Sequence, residues 1–435
     1  STSLALAEWQ NGQNADLVLG QPDFDSSGTG TTTATIMHEP GDVAIDPTTG
    51  FVFVADTIEN RVLRFASFDS LMNGDAAVGV LGQANLSSSN DPEDATASSM
   101  DSPQGIHVDS NGTLWVADTS NHRVLRFLNA STVADADGAP ADLVLGQETF
   151  AGDDSGNAVD SMNGPFDVVS DGSGNVYVSD RTNNRVLRFS VLSNPSNGMD
   201  ADGVLGQVDF DSRLSPNPPT AASMNRPNGV ALGTNGELWV ADPNNNRVLR
   251  FDTPSTQADS NGADADGVLG QTLFTTATGG TDEDSLDDPR KLTVAPNGDL
   301  WVIESIQHRA LRFPDAANLP NGSDATNVLG QTLLTTSAFG GGMSGLSFPT
   351  GITAVSNKTL FISDGGNNRV LRFTDDDTVP PVASPTDNSA LIASLQRKIK
   401  KLKKRVKTLR QKGKRDAARR LQKRVRKFTK QLRAL

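Results

Sequence analysis

A long internal repeat constrains the fold of this chain more than any other feature of its sequence. The string Arg-Val-Leu-Arg-Phe, or a near copy, occurs six times at steps of 62, 62, 62, 62 and 60 residues. A second string, Val-Leu-Gly-Gln, also occurs six times, and an aromatic residue recurs once per repeat between β-forming neighbours. The copies of the first string begin at Arg61, Arg123, Arg185, Arg247, Arg309 and Arg369. Such self-similarity predicts stacked copies of one structural unit.

Each repeat divides into four short strands. In the first repeat these are a strand after Pro40, one over residues 51–55, one over residues 61–65, and the Val-Leu-Gly-Gln string. Asn-Gly pairs at 111–112, 235–236 and 297–298 mark hairpin turns before the second strand. Four antiparallel strands per repeat of this length form a propeller blade. The sequence therefore predicts an all-β protein with a six-bladed β-propeller over residues 1–373.

The order of the strings predicts how the ring closes. The first Val-Leu-Gly-Gln string, residues 18–21, precedes any complete blade, and no such string follows the last Arg-Val-Leu-Arg-Phe, residues 369–373. The N-terminal strand is therefore expected to be the outer strand of the sixth blade. This arrangement removes an open sheet edge.

The second repeat resembles a known repeat family. Residues 117–124, Ala-Asp-Thr-Ser-Asn-His-Arg-Val, are similar to the NHL signature, and residues 241–247 follow the same pattern. An acidic residue stands five positions before the motif arginine in every copy: Asp56, Asp118, Asp180, Asp242, Glu304 and Asp364. The resemblance implies an NHL propeller, a family that includes binding modules, scaffolds and a few lyases and hydrolases. It predicts the fold and leaves the function open.

Most residues that resemble a catalytic set occupy repeated positions. Because the Asp–Arg pairs occur in every blade, we interpret them as structural braces, and we assign the repeated aromatics to the core. His122 and His308 stand in equivalent slots where other blades have Asn. The amidating lyases that share this fold hold zinc with several histidines, and the chain does not have that set. No metal site and no catalytic residue are therefore predicted.

The positions that vary between repeats lie just after the repeat prolines. They are expected to ring one mouth of the central channel, where a propeller binds its ligands. The candidates for binding a small polar ligand or a cation are Asp42, Gln104, His107, Asp167, Asn228, Arg290 and Lys291. The alternative is a channel that holds only solvent.

Acidic turns precede three of the outer strands. Residues 135–138, 200–203 and 264–267 each read Asp-Ala-Asp-Gly. Two carboxylates followed by glycine suit Ca²⁺, but no Glu follows at the spacing of an EF-hand loop. No cofactor is predicted, and Ca²⁺ at these turns is the alternative to a solvated turn.

Charge is divided unevenly along the chain. Residues 383–435 hold 20 basic and two acidic residues, a net +18, whereas residues 1–382 hold 18 basic and 50 acidic residues, a net −32. The chain has no cysteine, and no apolar run is long enough to cross a bilayer. It begins at Ser1 without Met, which we take to indicate a mature, secreted chain with an extracellular or cell-surface location.

The last part of the chain has its own pattern. Residues 374–389 contain an Asp-Asp-Asp run and three prolines and are predicted to form a linker. Apolar residues then recur at steps of three and four on both sides of Gly413. This heptad pattern predicts a basic α-helical hairpin over residues 390–435. The alternative is a solvated basic tail.

The hairpin is expected to bind an anionic partner, because almost every position beside its apolar seam is Lys or Arg. The residues assigned to assembly or anion binding are Lys398, Lys401, Arg405, Arg410, Lys414, Arg420, Arg424 and Lys427. Self-association with the acidic propeller, as an oligomer or filament, is favoured; an acidic polysaccharide or cell-surface polymer is the alternative. Nucleic acid is disfavoured, since the propeller would repel it. The sequence thus predicts a non-enzymatic binding and structural protein, with a propeller lyase or hydrolase as the alternative.

Overall fold

The computed structural model describes residues 9–90, 94–133, 137–192, 195–375, 399–400, 402–404, 406–407, 422 and 429. The chain divides into two compact units, Ser1–Val379 and Pro380–Leu435. In the first unit, the described strands form six antiparallel sheets of four strands each. This confirms the all-β propeller with six blades.

The strands run outward from the channel in chain order within the first five blades. Blade 1 consists of β2 (Pro40–Ile45), β3 (Phe51–Asp56), β4 (Arg61–Ser67) and β5 (Gly79–Leu81). Blade 2 consists of β6 (Pro103–Val108), β7 (Leu114–Asp118), β8 (Arg123–Phe127) and β9 (Leu143–Leu145). Blade 3 consists of β10 (Pro165–Ser170), β11 (Asn175–Asp180), β12 (Arg185–Ser190) and β13 (Gly203–Leu205). Blade 4 consists of β14 (Val230–Leu232), β15 (Leu238–Asp242), β16 (Arg247–Phe251) and β17 (Gly267–Leu269). Blade 5 consists of β18 (Pro289–Val294), β19 (Leu300–Glu304), β20 (Arg309–Phe313) and β21 (Asn327–Leu329).

Blade 6 closes the ring as predicted. It consists of β22 (Pro349–Ser356), β23 (Thr359–Asp364) and β24 (Arg369–Thr374), with β1 (Leu17–Leu19) as its outer strand. Val18 pairs with Leu371, so the first and last strands of the propeller belong to one sheet. The edge of β24 is therefore covered.

The core lies between neighbouring blades. The repeated aromatics, Phe53, Trp115, Tyr177, Trp239, Trp301 and Phe361, are all at most 2% exposed. Tyr177 of blade 3, for example, packs in one cluster with Val240 and Leu249 of blade 4. Each blade thus buries its apolar face against the next, which explains why the aromatic slot recurs once per repeat.

Short turns connect the middle strands of the blades. These are the 3₁₀ turns Thr57–Glu59, Arg181–Asn183, Pro243–Asn245 and Gly365–Asn367. The 3₁₀ turn Ala316–Asn318 and the short α-helices α1 (Ala130–Val133) and α2 (Pro254–Asp259) instead lie between the third and the outer strands of their blades. We call the side of the ring that carries the starts of the innermost strands the entrance face. Asp56 and Pro40 are paired in the sheet, so the turn after Asp56 also lies on this face.

The six acidic–arginine pairs are buried braces, as the sequence analysis inferred. In blade 4 the Arg247 Nε donates to Asp242 Oδ2 at 2.7 Å, and both side chains are fully buried. The same arginine donates to the carbonyl oxygens of Thr220, Ser223 and Phe274, in the loops on both sides of the blade. One guanidinium therefore satisfies several buried acceptors at once.

The residue before each motif arginine links its blade to the next. Asn184 has a φ of 57°, and its Oδ1 accepts a hydrogen bond from Arg226 N of blade 4 at 2.8 Å. His122 and His308 do the same with Nδ1, which accepts from Gly164 N and Phe348 N at 3.0 Å each. The histidines in this slot are therefore structural.

The described residues of the second unit are helical. They are residues 399–400, 402–404, 406–407, Gln422 and Thr429, and the stripe positions Ile399, Leu402 and Val406 are buried. The predicted linker at 374–389 lies almost wholly outside the described residues. The same is true of the turn at Gly413 and most of 390–435, so the hairpin stays a prediction. No helix in the described part of the chain has the length and apolar character to cross a membrane.

Candidate functional site

The innermost strands of the six blades enclose a central cavity of about 260 Å³. Its wall is largely aliphatic, with residues such as Val168, Val230 and Ile352, and its polar side chains include His107 and Lys291. All candidates of the sequence analysis except His107 lie at the entrance end of this cavity, at or just before the starts of the innermost strands.

Three charged side chains meet across the entrance of the channel. The Lys291 Nζ lies 2.6 Å from Asp42 Oδ2 and 2.6 Å from Asp167 Oδ1. These residues come from blades 5, 1 and 3, and all three side chains are at least nine-tenths buried. We call Asp42, Asp167 and Lys291 the channel triad. It joins alternate blades of the ring and closes the channel at the entrance face.

Backbone amides donate further hydrogen bonds to the two carboxylates of the triad. Asp42 Oδ2 accepts a hydrogen bond from Ile106 N at 3.0 Å, and Asp167 Oδ2 accepts one from Val230 N at 2.9 Å. Each carboxylate therefore also binds the backbone of the next blade. Asp42 Oδ1 is buried and has no hydrogen-bond partner among the described residues.

Glycines in the other three blades make room for the triad. The position two residues after the repeat proline is Asp42, Gly105, Asp167, Gly229, Lys291 and Gly351 in blades 1 to 6. A Cβ on Gly105 or Gly351 would lie 2.6 Å from the Cα of Asp167 or Asp42, and one on Gly229 would lie 2.8 Å from the Cα of Lys291. The alternation of charged residues and glycine is therefore a steric requirement of the closed channel.

The surroundings of the triad set its ionisation. Burial raises the pKa of Asp42 to about 6, although the Lys291 ammonium opposes this shift. Burial lowers the pKa of Lys291, but the carboxylates of Asp167 and Asp42 outweigh it, so that the pKa lies above its ordinary value. Lys291 is therefore an ammonium ion at pH 7, with no lone pair for nucleophilic or base chemistry.

Substituting Ala for Gly105 is expected to destabilise the propeller by about 1–3 kcal/mol, because the added methyl group overlaps the backbone of Asp167. Urea unfolding followed by tryptophan fluorescence measures the change. Gly28→Ala is the matched control, since nothing lies within 4 Å of its added Cβ. Equal stability of the two variants would contradict the steric role of Gly105.

The remaining candidates lie around the triad without joining it. Asn228 is buried, and its Oδ1 accepts a hydrogen bond from Arg181 Nε at 2.8 Å. Arg290 pairs with Asp288 at 3.1 Å, and Gln104 lies beside Gly41 of the preceding blade. A ligand-binding role for these residues stays a prediction.

His107 lies deeper, within the cavity. Its Nε2 is 3.1 Å from the Ser170 carbonyl oxygen, and burial lowers the pKa of the imidazole. A neutral imidazole is the form that acts as a general base, so the enzyme alternative depends on this side chain.

Two of the acidic turns bind parts of their own blades, and Asp137 of the third accepts a hydrogen bond from Val80 N of the preceding blade at 3.2 Å. Asp202 Oδ1 accepts a hydrogen bond from Arg188 Nε at 2.8 Å, and Asp266 Oδ2 accepts one from Gln257 Nε2 at 3.0 Å. Within the described ranges, no group of three or more His, Asp or Glu side chains is arranged to hold a metal ion. The eight basic residues assigned to assembly all lie outside the described residues.

Sequence reasoning missed two arginines and the role of the glycines. Arg181 and Arg226 lie on the entrance face beside Asn228, at repeat positions where other blades have no arginine. Comparing equivalent positions across the six repeats is the signal that would have found them.

The sequence profile of the NHL repeat matches residues 100–127 and 224–251, in blades 2 and 4. Both matches end with the third strand of a blade, β8 or β16, and both contain the acidic–arginine brace. The chain is a six-bladed β-propeller with NHL repeats in blades 2 and 4. The resemblance drawn from residues 117–124 is thereby confirmed.

Two solved propellers and one curated protein are similar to this NHL propeller. A protein of unknown function from Bacteroides thetaiotaomicron is 14% identical, with 83% of this chain and 76% of that chain covered and a TM-score of 0.50. A gluconolactonase from Xanthomonas campestris is 15% identical, with 83% and 97% covered and a TM-score of 0.46. At 14% identity the Bacteroides structure shows only that the fold is shared.

The curated protein is the chloroplastic SUPPRESSOR OF QUENCHING 1 of Arabidopsis thaliana. It is 24% identical over 290 residues, which are 63% of this chain and 25% of that protein. The NHL propeller thus spans about a quarter of the length of this relative. Because the relative is a plastid protein, the extracellular location predicted from the sequence is wrong. A start at Ser1 without Met is a weak indicator, since it does not reveal what preceded it.

Proposed function

We propose that this NHL propeller is a non-enzymatic binding and scaffold protein whose copies associate through opposite charges. The acidic propeller of one copy binds the basic C-terminal segment of another. The observation that carries the proposal is that most of the propeller's own basic residues are occupied by pairs within it.

Two arginines in each blade account for most of the positive charge of the propeller. The first, such as Arg185 with Asp180, is buried in its brace. The second forms a pair nearer the surface, as in Arg126 with Asp142 at 2.6 Å. With 18 basic and 50 acidic residues in 1–382, at least 32 acidic residues have no basic residue of that part to match them. A polycation is the partner that this surface favours.

The C-terminal segment supplies such a polycation in the same chain, with a net charge of +18 over residues 383–435. A surface that binds a different surface on the next copy is heterologous, and it extends without closing unless the geometry forms a ring. Association of this kind is driven by charge and weakens as salt screens it.

The full chain is expected to form large particles at low salt that dissolve as salt rises. A truncation to residues 1–382 is expected to stay monomeric, because it has lost the positive partner. Light scattering from about 0.05 to 0.5 M NaCl tests both, a range over which the Debye length falls from roughly 14 to 4 Å. A full-length control replaces Lys398, Lys401, Arg405, Arg410, Lys414, Arg420, Arg424 and Lys427 by Gln. The proposal fails if the unmodified full chain is monomeric at low salt, or if the truncation assembles equally well.

A lyase or hydrolase acting in the channel is the second candidate, and His107 is the observation that favours it. The neutral imidazole lines the cavity beside Ser170. The channel triad speaks against this candidate, because Lys291 is held as an ammonium ion between two carboxylates that it neutralises in part.

A further inference from the structure

The basic residues outside the blade motifs are concentrated in one sector of the propeller. Twelve of the 18 basic residues in 1–382 belong to the repeated string. The other six are Arg181, Arg213, Arg226, Arg290, Lys291 and Lys358. Four of these lie at the entrance end of blades 3 to 5, and the channel triad accounts for Lys291. Three arginines in a strongly acidic propeller remain to be explained.

Arg181 departs from the repeat in a way that frees its guanidinium. In blades 1 and 2 the same slot holds Thr57 and Thr119, whose Oγ1 atoms donate to the carbonyl oxygens of Pro103 and Pro165 at 2.8 and 2.7 Å. Arg181 instead extends across to blade 4, where its Nε donates to Asn228 Oδ1. The side chain lies over the ring of Phe166, with 5.3 Å between the guanidinium carbon and the ring centre.

The other two arginines also replace residues of different chemistry. The slot of Arg226 holds Glu39, Ser102, Gly164, Asp288 and Phe348 in the other blades. Arg226 is exposed, and the Arg290 side chain is 35% exposed. The two chain segments that carry them are neighbours, because Gly229 N, three residues after Arg226, donates to the Arg290 carbonyl oxygen at 2.7 Å.

The positive charge of this sector is only partly neutralised. Burial, with the charges of Arg226 and Arg290, lowers the pKa of Arg181 to about 10, and Asp288 opposes this shift. Asp288 pairs with Arg290, and within the described residues neither Arg181 nor Arg226 has a carboxylate at salt-bridge distance. The charges that act on Arg181 are thus those of two other arginines and one carboxylate, Asp288.

We propose that Arg181, Arg226 and Arg290 form a binding site for a small oxyanion, a phosphate or a carboxylate group, on the entrance face. The planar guanidinium matches the paired oxygen atoms of both groups. Asn228 and Phe166 hold Arg181 in place, which reduces the freedom lost on binding. The acidic surface around the site repels an extended polyanion, so the ligand is a small molecule. The proposal is independent of self-association, because it uses the propeller alone.

Titration calorimetry on the full chain tests the site, with inorganic phosphate and acetate as separate probes. The buffer contains about 0.3 M NaCl to screen the basic C-terminal segment. We expect one probe to bind and its affinity to fall about tenfold in Arg226→Gln, which removes an exposed side chain and leaves the fold intact. Lys358→Gln removes one positive charge in the turn between β22 and β23, away from the entrance face, and is expected to bind as the unmodified chain does.

The two probes separate the two ligand classes, since preference for phosphate or for acetate identifies the group that the site accepts. Binding of neither probe at millimolar concentration would overturn the proposal. Equal weakening by Lys358→Gln would also overturn it, as would undiminished binding by the double variant Arg181→Gln/Arg226→Gln. Light scattering on the same samples measures self-association, whereas calorimetry measures binding of the oxyanion. The two proposals can therefore fail independently.

Discussion

Replacing Lys291 by Met is expected to destabilise the propeller by about 3–5 kcal/mol at pH 7. The substitution leaves Asp42 and Asp167 buried without the ammonium group that lies 2.6 Å from each of them. Their desolvation and mutual repulsion are then offset only by the hydrogen bonds from the amides of Ile106 and Val230. The free energy of unfolding, from urea titration of both proteins, measures the loss.

The loss of unfolding free energy in Lys291→Met is expected to become smaller as the pH falls, because the carboxylates of the triad then become protonated. Asp42 already has its pKa raised to about 6, and removing the positive charge raises it further. A folded-state pKa above the unfolded value of about 3.9 means that the folded variant binds a proton as pH falls, which stabilises it. The stability gap should therefore be smaller at pH 5 than at pH 7.5.

Lys358→Met is the matched control for this experiment, since Lys358 is exposed and the substitution removes the same charge. It is expected to change stability by no more than about 0.5 kcal/mol. A Lys291→Met variant as stable as this control, or a gap that widens on acidification, would show that the channel triad does not stabilise the ring.

Replacing Arg247 by Met is expected to cost about 3–5 kcal/mol, because it removes one partner of a fully buried ion pair. The Asp242 carboxylate loses its counter-charge, and three carbonyl oxygens of the flanking loops lose their donor. Since each blade packs on the next, we expect unfolding of the whole propeller rather than of blade 4 alone. Calorimetric unfolding measures both the loss and its cooperativity.

Arg250→Met, in the same strand, is the control for the brace. Arg250 pairs with Asp252, whose side chain is 51% exposed, and donates to the Ala317 carbonyl oxygen. Because its loss leaves no buried carboxylate without a counter-charge, it is expected to cost less than the loss of Arg247. If the two substitutions had equal effects, or if blade 4 unfolded separately, the brace would not be the element that joins the blades.

The sequence predicted most of the fold because each blade is specified by local signals that occur six times. Pro40, the aromatic at 53, Arg61 and Gln83 mark the same points in blade 1 that their equivalents mark elsewhere. Ring closure could also be predicted. The strand at 17–19 has no partner in the first repeat, and the last repeat has no outer strand of its own. A single short apolar run can be a strand or part of a helix, but six copies at the same place in each repeat remove that ambiguity.

The candidate site was predicted only as a ring of positions. Asp42, Asp167 and Lys291 were among seven candidates, but nothing in the sequence separates them from Gln104 or Asn228. Their contact requires the closed ring, since Lys291 and Asp167 are 124 residues apart in the chain. Arg181 and Arg226 were missed for a related reason. A single arginine in a turn does not indicate a binding site until the residues of other blades that lie near it are known.

From the sequence alone one can predict the four strands of each blade, the number of blades, the acidic–arginine braces and the opposite net charges of the two parts of the chain. All of these depend on residues within one repeat or on composition. The tertiary structure alone decided that the channel is closed by a buried triad and that three arginines share one sector of the entrance face. Those contacts join residues of different blades, and only the curvature of the closed ring brings such residues within a few ångströms of each other.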